Sequence, residues 1–174
     1  MKNIFLSGPP GIGKTTIIKK VVAAAPNLFG GFYTEEMRKK TKRVGFRIRT
    51  LKGREGILAH VDLESPYRVG KYRVKLEDLE KIGLRSIQAA VADKRMVAID
   101  ELGKMELFSE KFKEEVVRAL DSPRRVLATV KEGKNAFLDN IKSREDVLLI
   151  EVTRENRDRL PREIKRLLNI CVHQ

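Results

Sequence analysis

Gly8-Pro9-Pro10-Gly11-Ile12-Gly13-Lys14-Thr15 decides how the rest of the chain is read. The stretch is G-x-x-x-x-G-K-[ST] with no departure. Each part answers a need of a bound polyphosphate. The glycines let the backbone bend as other residues cannot and come close to the phosphates. Successive N–H groups then turn inward as an anion nest, and the helix starting near Lys14 adds the positive end of its dipole. Lys14 is expected to reach the β- and γ-phosphates, and Thr15 to ligate Mg²⁺. Thr16, one residue on, is placed at the α-phosphate. The expected ligands are a nucleoside triphosphate and Mg²⁺, held by the run from Gly8 to Thr16.

The flanks agree with the motif. Lys2 to Ser7 reads as a short buried strand, and Ile17, Ile18, Val21 and Val22 recur at helical spacing between Lys14 and Ala25. Pro26-Asn27 closes that helix. Beyond it, the stretches 32–37, 44–51, 55–61 and 67–74 are rich in β-formers and divided by glycines. Helical spacing returns over 76–92, 109–120 and 156–169, with Ser109 as an N-cap, and a short helix fits 137–141. The runs 96–99, 124–130 and 147–152 read as buried strands. Strands alternating with helices imply right-handed crossovers. The fold class expected is α/β: a P-loop NTPase-type, mostly parallel sheet flanked by helices on both faces. A β-rich antiparallel insertion at about 31–74 is expected on the sheet edge, within one nucleotide-binding domain spanning 1–174.

A phosphate loop needs a metal-holding carboxylate on a neighbouring strand. Met96-Val97-Ala98-Ile99 is apolar and is followed at once by Asp100-Glu101. In open parallel sheets, ligands bind at the carboxyl ends of the strands. Asp100 is therefore the expected Mg²⁺ carboxylate, acting through a water. Glu101 is expected to orient or deprotonate an attacking water, which makes it, with Lys14, the catalytic pair. Val97, Ala98, Ile99, Leu102 and Gly103 belong to the same nucleotide-binding segment, and Lys104 is placed to add charge near the phosphates. Thr129, at the end of another strand, is a candidate contact to the γ-phosphate or the water. Asn156 and Arg157, opening the last helix, are candidate contacts to the base or a phosphate. His60 and His173 form no catalytic or metal constellation, and Cys171 reads as a small, partly buried residue.

The 174 residues include 37 Lys and Arg against 24 Asp and Glu, for a net charge of +13. A basic excess attracts polyanions, nucleotide phosphates among them. Nine basic residues and no acidic one fall between Arg38 and Arg54, so RNA or another polyanion is a candidate partner there, against the plainer reading of a solvated hairpin face. Phe46 is in phase with the apolar face, which argues against a stacking platform. Glutamine is scarce while Lys, Arg and Glu abound, a balance seen in proteins from hot environments. One cysteine excludes an internal disulfide, and no apolar stretch approaches the roughly 18 residues of a membrane span. A cytoplasmic protein without membrane attachment is expected.

Four stretches together carry a family resemblance: Gly8 to Thr16, Gly31-Phe32-Tyr33-Thr34-Glu35-Glu36, Asp100-Glu101-Leu102-Gly103-Lys104-Met105-Glu106, and Val152-Thr153-Arg154-Glu155-Asn156-Arg157-Asp158. The chain resembles a family of small P-loop nucleoside-triphosphatases known from thermophiles, which includes a human cancer-related nucleoside-triphosphatase. The resemblance implies Mg²⁺-dependent hydrolysis of ATP, GTP and other nucleoside triphosphates to diphosphate and phosphate. The alternative is a nucleotide, nucleoside or RNA-end kinase, with Glu35 or Glu36 as base and the basic hairpin holding an anionic acceptor. A third reading is a nucleotide-switched RNA-binding protein.

Overall fold

A computed structural model describes residues 2–170; Cys171 and His173 lie outside the described residues. Nine strands form one sheet: β1 (Asn3–Ser7), β2 (Phe29–Lys39), β3 (Lys42–Thr50), β4 (Glu55–His60), β5 (Arg68–Val69), β6 (Tyr72–Val74), β7 (Met96–Leu102), β8 (Arg125–Val130) and β9 (Val147–Glu151). Their order is β5-β6-β4-β3-β2-β7-β8-β1-β9. The pairings β2–β7, β7–β8, β8–β1 and β1–β9 are parallel, and the rest are antiparallel. β2 serves both halves. Its first residues pair in parallel with β7, and its other side carries β3, from which the antiparallel extension grows.

Side-chain alternation sorts the core into two layers. Ile4, Leu6, Ala98 and Leu127 face α1 (Lys14–Ala24) and the last helix, named α6 below, through Ile17, Ile18, Val21 and Ile164. Phe5, Val97, Ile99, Val126 and Ala128 face the opposite layer, where Ile87, Phe112, Val116 and Leu138 reside. The helices of that layer are α2 (Leu76–Asp78), α3 (Arg85–Asp93), α4 (Glu110–Asp121) and α5 (Ala136–Lys142). Ser109 caps α4 as expected, its Oγ accepting from the Phe112 N–H.

Three segments differ from the sequence reading. The helix expected over 76–92 is broken by a π-helical turn at Leu79–Leu84, between α2 and α3. The strand expected over 96–99 runs on to Leu102, so Asp100 and Glu101 lie inside β7, where pairing with β8 slips between Ile99 and Leu102. The last helix, α6, spans Leu160–Leu167 rather than 156–169. Asn156 is bound up in the preceding turn: its Oδ1 accepts from the Thr153 N–H at 2.8 Å and its Nδ2 donates to the Glu151 carbonyl at 2.8 Å. Such local side-chain bonds compete with helix, and Pro161 then opens the first turn of α6.

At Gly31 (φ 114°) a Cβ would lie 2.0 Å from the Ala98 carbonyl oxygen of β7. The junction of β2 with the parallel core therefore admits only glycine. Gly31→Ala is expected to lose about 3 kcal/mol or more of stability, from backbone strain plus the clash. Urea unfolding measures this; a midpoint shift equivalent to less than about 1 kcal/mol would contradict the close approach.

Candidate active site

β1 ends at Ser7 and the chain turns at Gly8, with φ 136°. A Cβ there would lie 2.8 Å from the Val152 carbonyl oxygen, so the loop packs against the chain leaving β9. Gly13 precedes α1 and brings no side chain to cap it. The first-turn N–H groups of α1 are thus left to a ligand, at the positive end of the helix. Lys14 folds back over the loop, its Nζ donating to the carbonyl oxygens of Gly8 and Pro9 at 2.5 and 3.1 Å. An anion entering the loop meets an ammonium already held at its mouth.

Asp100 is the buried acid of the cleft, 3% exposed. Thr129, from β8, donates its hydroxyl hydrogen bond to Asp100 Oδ1. Asp100 Oδ2 is buried and has no hydrogen-bond partner among the described residues. Burial pushes the Asp100 pKa up, against the hydroxyls of Thr129 and Thr15 and the charges of Lys19 and Lys14. A buried carboxylate oxygen without a partner is costly unless something binds it. A divalent cation fits this donor set: one hard carboxylate oxygen with a threonine hydroxyl beside it. Among the described residues no group of three or more His, Cys, Asp or Glu side chains is placed to hold a metal, so the fit is to a cation that keeps most of its water. Glu101 is half-buried and follows directly, its pKa raised by burial and by the Asp100 charge, and lowered by Lys14 and Lys131.

One cleft of about 770 Å³ joins these groups. Gly8, Gly11, Lys14, Thr15 and Thr16 line one side, and Asp100, Glu101, Lys131 and Glu132 the floor. The far wall comes from the antiparallel extension: Thr34, Glu36, Arg43, Phe46 and Tyr72. The Arg43 guanidinium lies 5.2 Å from the Phe46 ring centre and 5.6 Å from that of Tyr72, and the two rings meet edge to face. Arg43 also donates to Tyr72 Oη at 2.9 Å and to Glu36 at 2.8 Å. An aromatic and arginine wall therefore stands where the sequence reading placed only a buried Phe46. Alternation along β3 hid it, because the rings are brought to the cleft by pairings between β3, β4 and β6.

Several expected contacts lie elsewhere. Thr129 sits inside β8 and is committed to Asp100, so it positions the carboxylate rather than lining the cleft. Val97, Ala98, Ile99 and Leu102 are core residues that support the site from below. Lys104 is exposed and does not line the cleft, although its neighbour Met105 does. Pro10 and Gly13 line the cleft, while Pro9 and Ile12 do not. Asn156 is consumed by its own turn; Arg157 rests on the loop, donating to the Ile12 carbonyl at 3.4 Å. Glu35 pairs with Lys19 at 3.1 Å and stays outside the cleft. Four of the nine basic residues from Arg38 to Arg54 are paired with acids: Arg38 and Arg43 with Glu36, Arg47 and Arg49 with Glu55.

Glu106, from the same motif as Asp100, lies behind Glu101. It is 3% exposed and accepts from the Gly103 N–H at 3.1 Å. A Cβ at position 103 would lie 2.9 Å from Glu101 Oε1 and 3.1 Å from Glu106 Oε2, so Gly103 is the spacer between two carboxyl groups. Burial, then the Glu101 charge, pushes the Glu106 pKa from 4.5 to about 8. The folded chain thus holds this proton more tightly than the unfolded one. The resulting stabilisation is full below pH 4.5 and is lost as pH rises towards about 8. Glu106→Gln keeps an oxygen for the Gly103 N–H and removes the titration. Urea midpoints measured from about pH 5 to about pH 9 are expected to fall less steeply in the variant, which becomes the more stable protein at the alkaline end. Parallel curves for the two proteins would contradict the assignment.

Comparison with known proteins bears on the whole chain. A family model described as NTPase matches residues 3–165. The nucleoside-triphosphatase THEP1 of Thermotoga maritima is 52% identical over 165 residues, covering 95% of this chain and 94% of that protein. The human cancer-related nucleoside-triphosphatase is 40% identical, covering 91% of this chain and 92% of its own length. The crystal structure of THEP1 from Aquifex aeolicus superposes with a TM-score of 0.86 at 36% identity, covering 95% of this chain and 98% of that one. The solution structure of the human protein superposes with a TM-score of 0.82, covering 97% of each chain. The chain belongs to the NTPase family of the thermophile and human nucleoside-triphosphatases that its motifs resemble.

Proposed function

We propose that the chain hydrolyses nucleoside triphosphates, ATP and GTP among them, to diphosphate and phosphate with Mg²⁺. The observation that carries this is the meeting, in one cleft, of an uncapped phosphate loop, a buried Asp100 with an unpartnered oxygen, and Glu101. The names of the relatives support the same reaction. Backbone N–H groups that grip phosphates are blind to the base, which supports broad base specificity. Lys14 and the first turn of α1 bind the β- and γ-phosphates. Thr15 and Asp100 would hold Mg²⁺, which when bound supplies charge that neutralises the β- and γ-oxygens. Thr129 fixes the orientation of Asp100. Glu101, made more basic by its burial and by Asp100, takes up the proton of the attacking water. A cytoplasmic setting suits an enzyme that draws on the common nucleotide pool.

The kinase alternative finds one supporting observation, the wall of Glu36, Arg43, Phe46 and Tyr72 across the cleft. Its base is poorly suited. The hydrogen bonds from Arg43 and Arg38 hold the Glu36 carboxyl below its usual pKa, and Glu35 is tied to Lys19 outside the cleft. Hydrolysis by Glu101 needs neither. RNA binding through Arg38–Arg54 is a separate proposal that rests on the exposed Lys39, Lys40 and Lys42 at the β2–β3 turn.

Phosphate release from ATP and GTP with Mg²⁺ tests the reaction in wild type and Glu101→Gln. Each is assayed with and without a pool of nucleosides, nucleotides and short RNA. Wild type is expected to release phosphate without an acceptor, and Glu101→Gln to lose about a hundredfold or more in turnover. Label appearing on a member of the pool, with turnover accelerated by it, would make the chain a kinase.

A further inference from the structure

A second recess opens at the other end of the sheet. Gly30 and Gly31 lie near the start of β2, beside Val97 and Ala98, whereas the phosphate loop leaves the carboxyl end of β1. The recess encloses about 310 Å³ and shares no lining residue with the nucleotide cleft. That volume is at the small end of ligand sites, which run from about 300 to 1,000 Å³. Its floor is apolar: Gly30, Gly31, Leu51, Ile82, Ala89 and Ala90. The hydroxyls of Thr50 and Ser86 also reach it, but each is engaged locally, with the Arg54 N–H and the Gly83 carbonyl.

The rim is wholly basic. Lys52, Arg54, Lys81, Arg85 and Lys94 surround the opening, and no acidic residue lines it. Lys81 pairs with Glu77, and Lys94 donates to the Asn27 carbonyl. Among the described residues, Lys52, Arg54 and Arg85 have no acidic partner within 4.0 Å. Glu55, next to Arg54, is already held by Arg47 and Arg49. Like charges gathered around an apolar opening repel one another unless an anion joins them.

The helix is shaped to present this rim. Lys81 and Ile82, Arg85 and Ser86, and Ala89 and Ala90 recur every four residues along the recess. Residues four apart lie on one face of a helix, so the three pairs border the same opening. Lys81 and Ile82 lie within the π turn at Leu79–Leu84, and Arg85 to Ala90 lie in α3.

We propose that this recess is a second ligand site, taking a small anion with an apolar body: a compact hydrocarbon or ring part enters beside Gly30, Gly31 and Ala89, and its phosphate, sulfonate or carboxylate head is met by Lys52, Arg54 and Arg85. The test is an amide NMR titration of the full chain with 1-naphthyl phosphate, the nucleotide cleft being filled with a non-hydrolysable ATP analogue and Mg²⁺. Saturable shifts are expected on Gly30, Gly31, Leu51 and Ala89. Uncharged 1-naphthol should bind at least about tenfold more weakly, and so should 1-naphthyl phosphate to Lys52→Glu/Arg85→Glu. Both changes are on exposed residues outside the cleft, so phosphate release should persist in the variant. Shifts confined to Gly8–Thr16, equal binding of 1-naphthol, or undiminished binding by the double variant would each overturn the proposal.

Discussion

A single buried carboxylate organises this protein. Asp100 lies almost out of solvent with one oxygen satisfied by Thr129 and the other without a hydrogen-bond partner among the described residues. Leaving a charged acceptor buried and unpaired costs more than the roughly 1–3 kcal/mol of a neutral one. Such a cost calls for a ligand that offsets it, and a cation held by Asp100 and Thr15, as proposed, would do so. The parallel sheet puts the parts within reach. β1 delivers the phosphate loop, β8 delivers Thr129, and β7 delivers Asp100 and Glu101, all at the carboxyl side of the sheet. The strand order, with β8 between β1 and β7, leaves room for a polyphosphate between loop and carboxylate.

The antiparallel extension completes what the parallel core leaves open. β2 is parallel to β7 at its start and antiparallel to β3 from Phe32 onward, so its far end carries Thr34 and Glu36 over the cleft. β3 and β6 bring Arg43, Phe46 and Tyr72 to face them. Glu36 there is an anchor for two arginines rather than a base, because both hydrogen bonds favour its ionised form. The carboxyls on the β7 side of the cleft follow the opposite logic. Burial and the Asp100 charge raise the Glu101 pKa, and burial and the Glu101 charge raise that of Glu106, with Gly103 as the small residue between the two carboxyls. Glu101 and Glu36 thus line one cleft with their pKa values moved in opposite directions.

Features written in local sequence were legible, and features made by distant pairings were not. The loop from Gly8 to Thr15, the helix after it, Ser109 as a cap and the acidic pair after an apolar strand all announce themselves within a few residues. The order of the strands, by contrast, depends on which edges pair, and no local pattern states that Phe46 and Tyr72 share a cleft wall. Thr129 was found as a polar residue at a strand end, but its partner, Asp100, lies 29 positions away. The last helix starts at Leu160, later than its sequence suggests, because Asn156 closes the preceding turn with its own side chain. The π turn at Leu79–Leu84 also eluded periodicity, since a single wide turn barely disturbs the spacing of buried residues.

The most direct measurement of the central claim is equilibrium binding of a non-hydrolysable ATP analogue, with Mg²⁺ and with a chelator, to wild type and to Asp100→Asn. Because the unpartnered oxygen of Asp100 is assigned to the cation, Mg²⁺ should tighten binding to wild type. It should do so far less in the variant, whose binding without metal should match that of wild type. If Asp100→Asn kept the full Mg²⁺ dependence, the buried carboxylate would not be the metal's anchor and the reading of the cleft would fail.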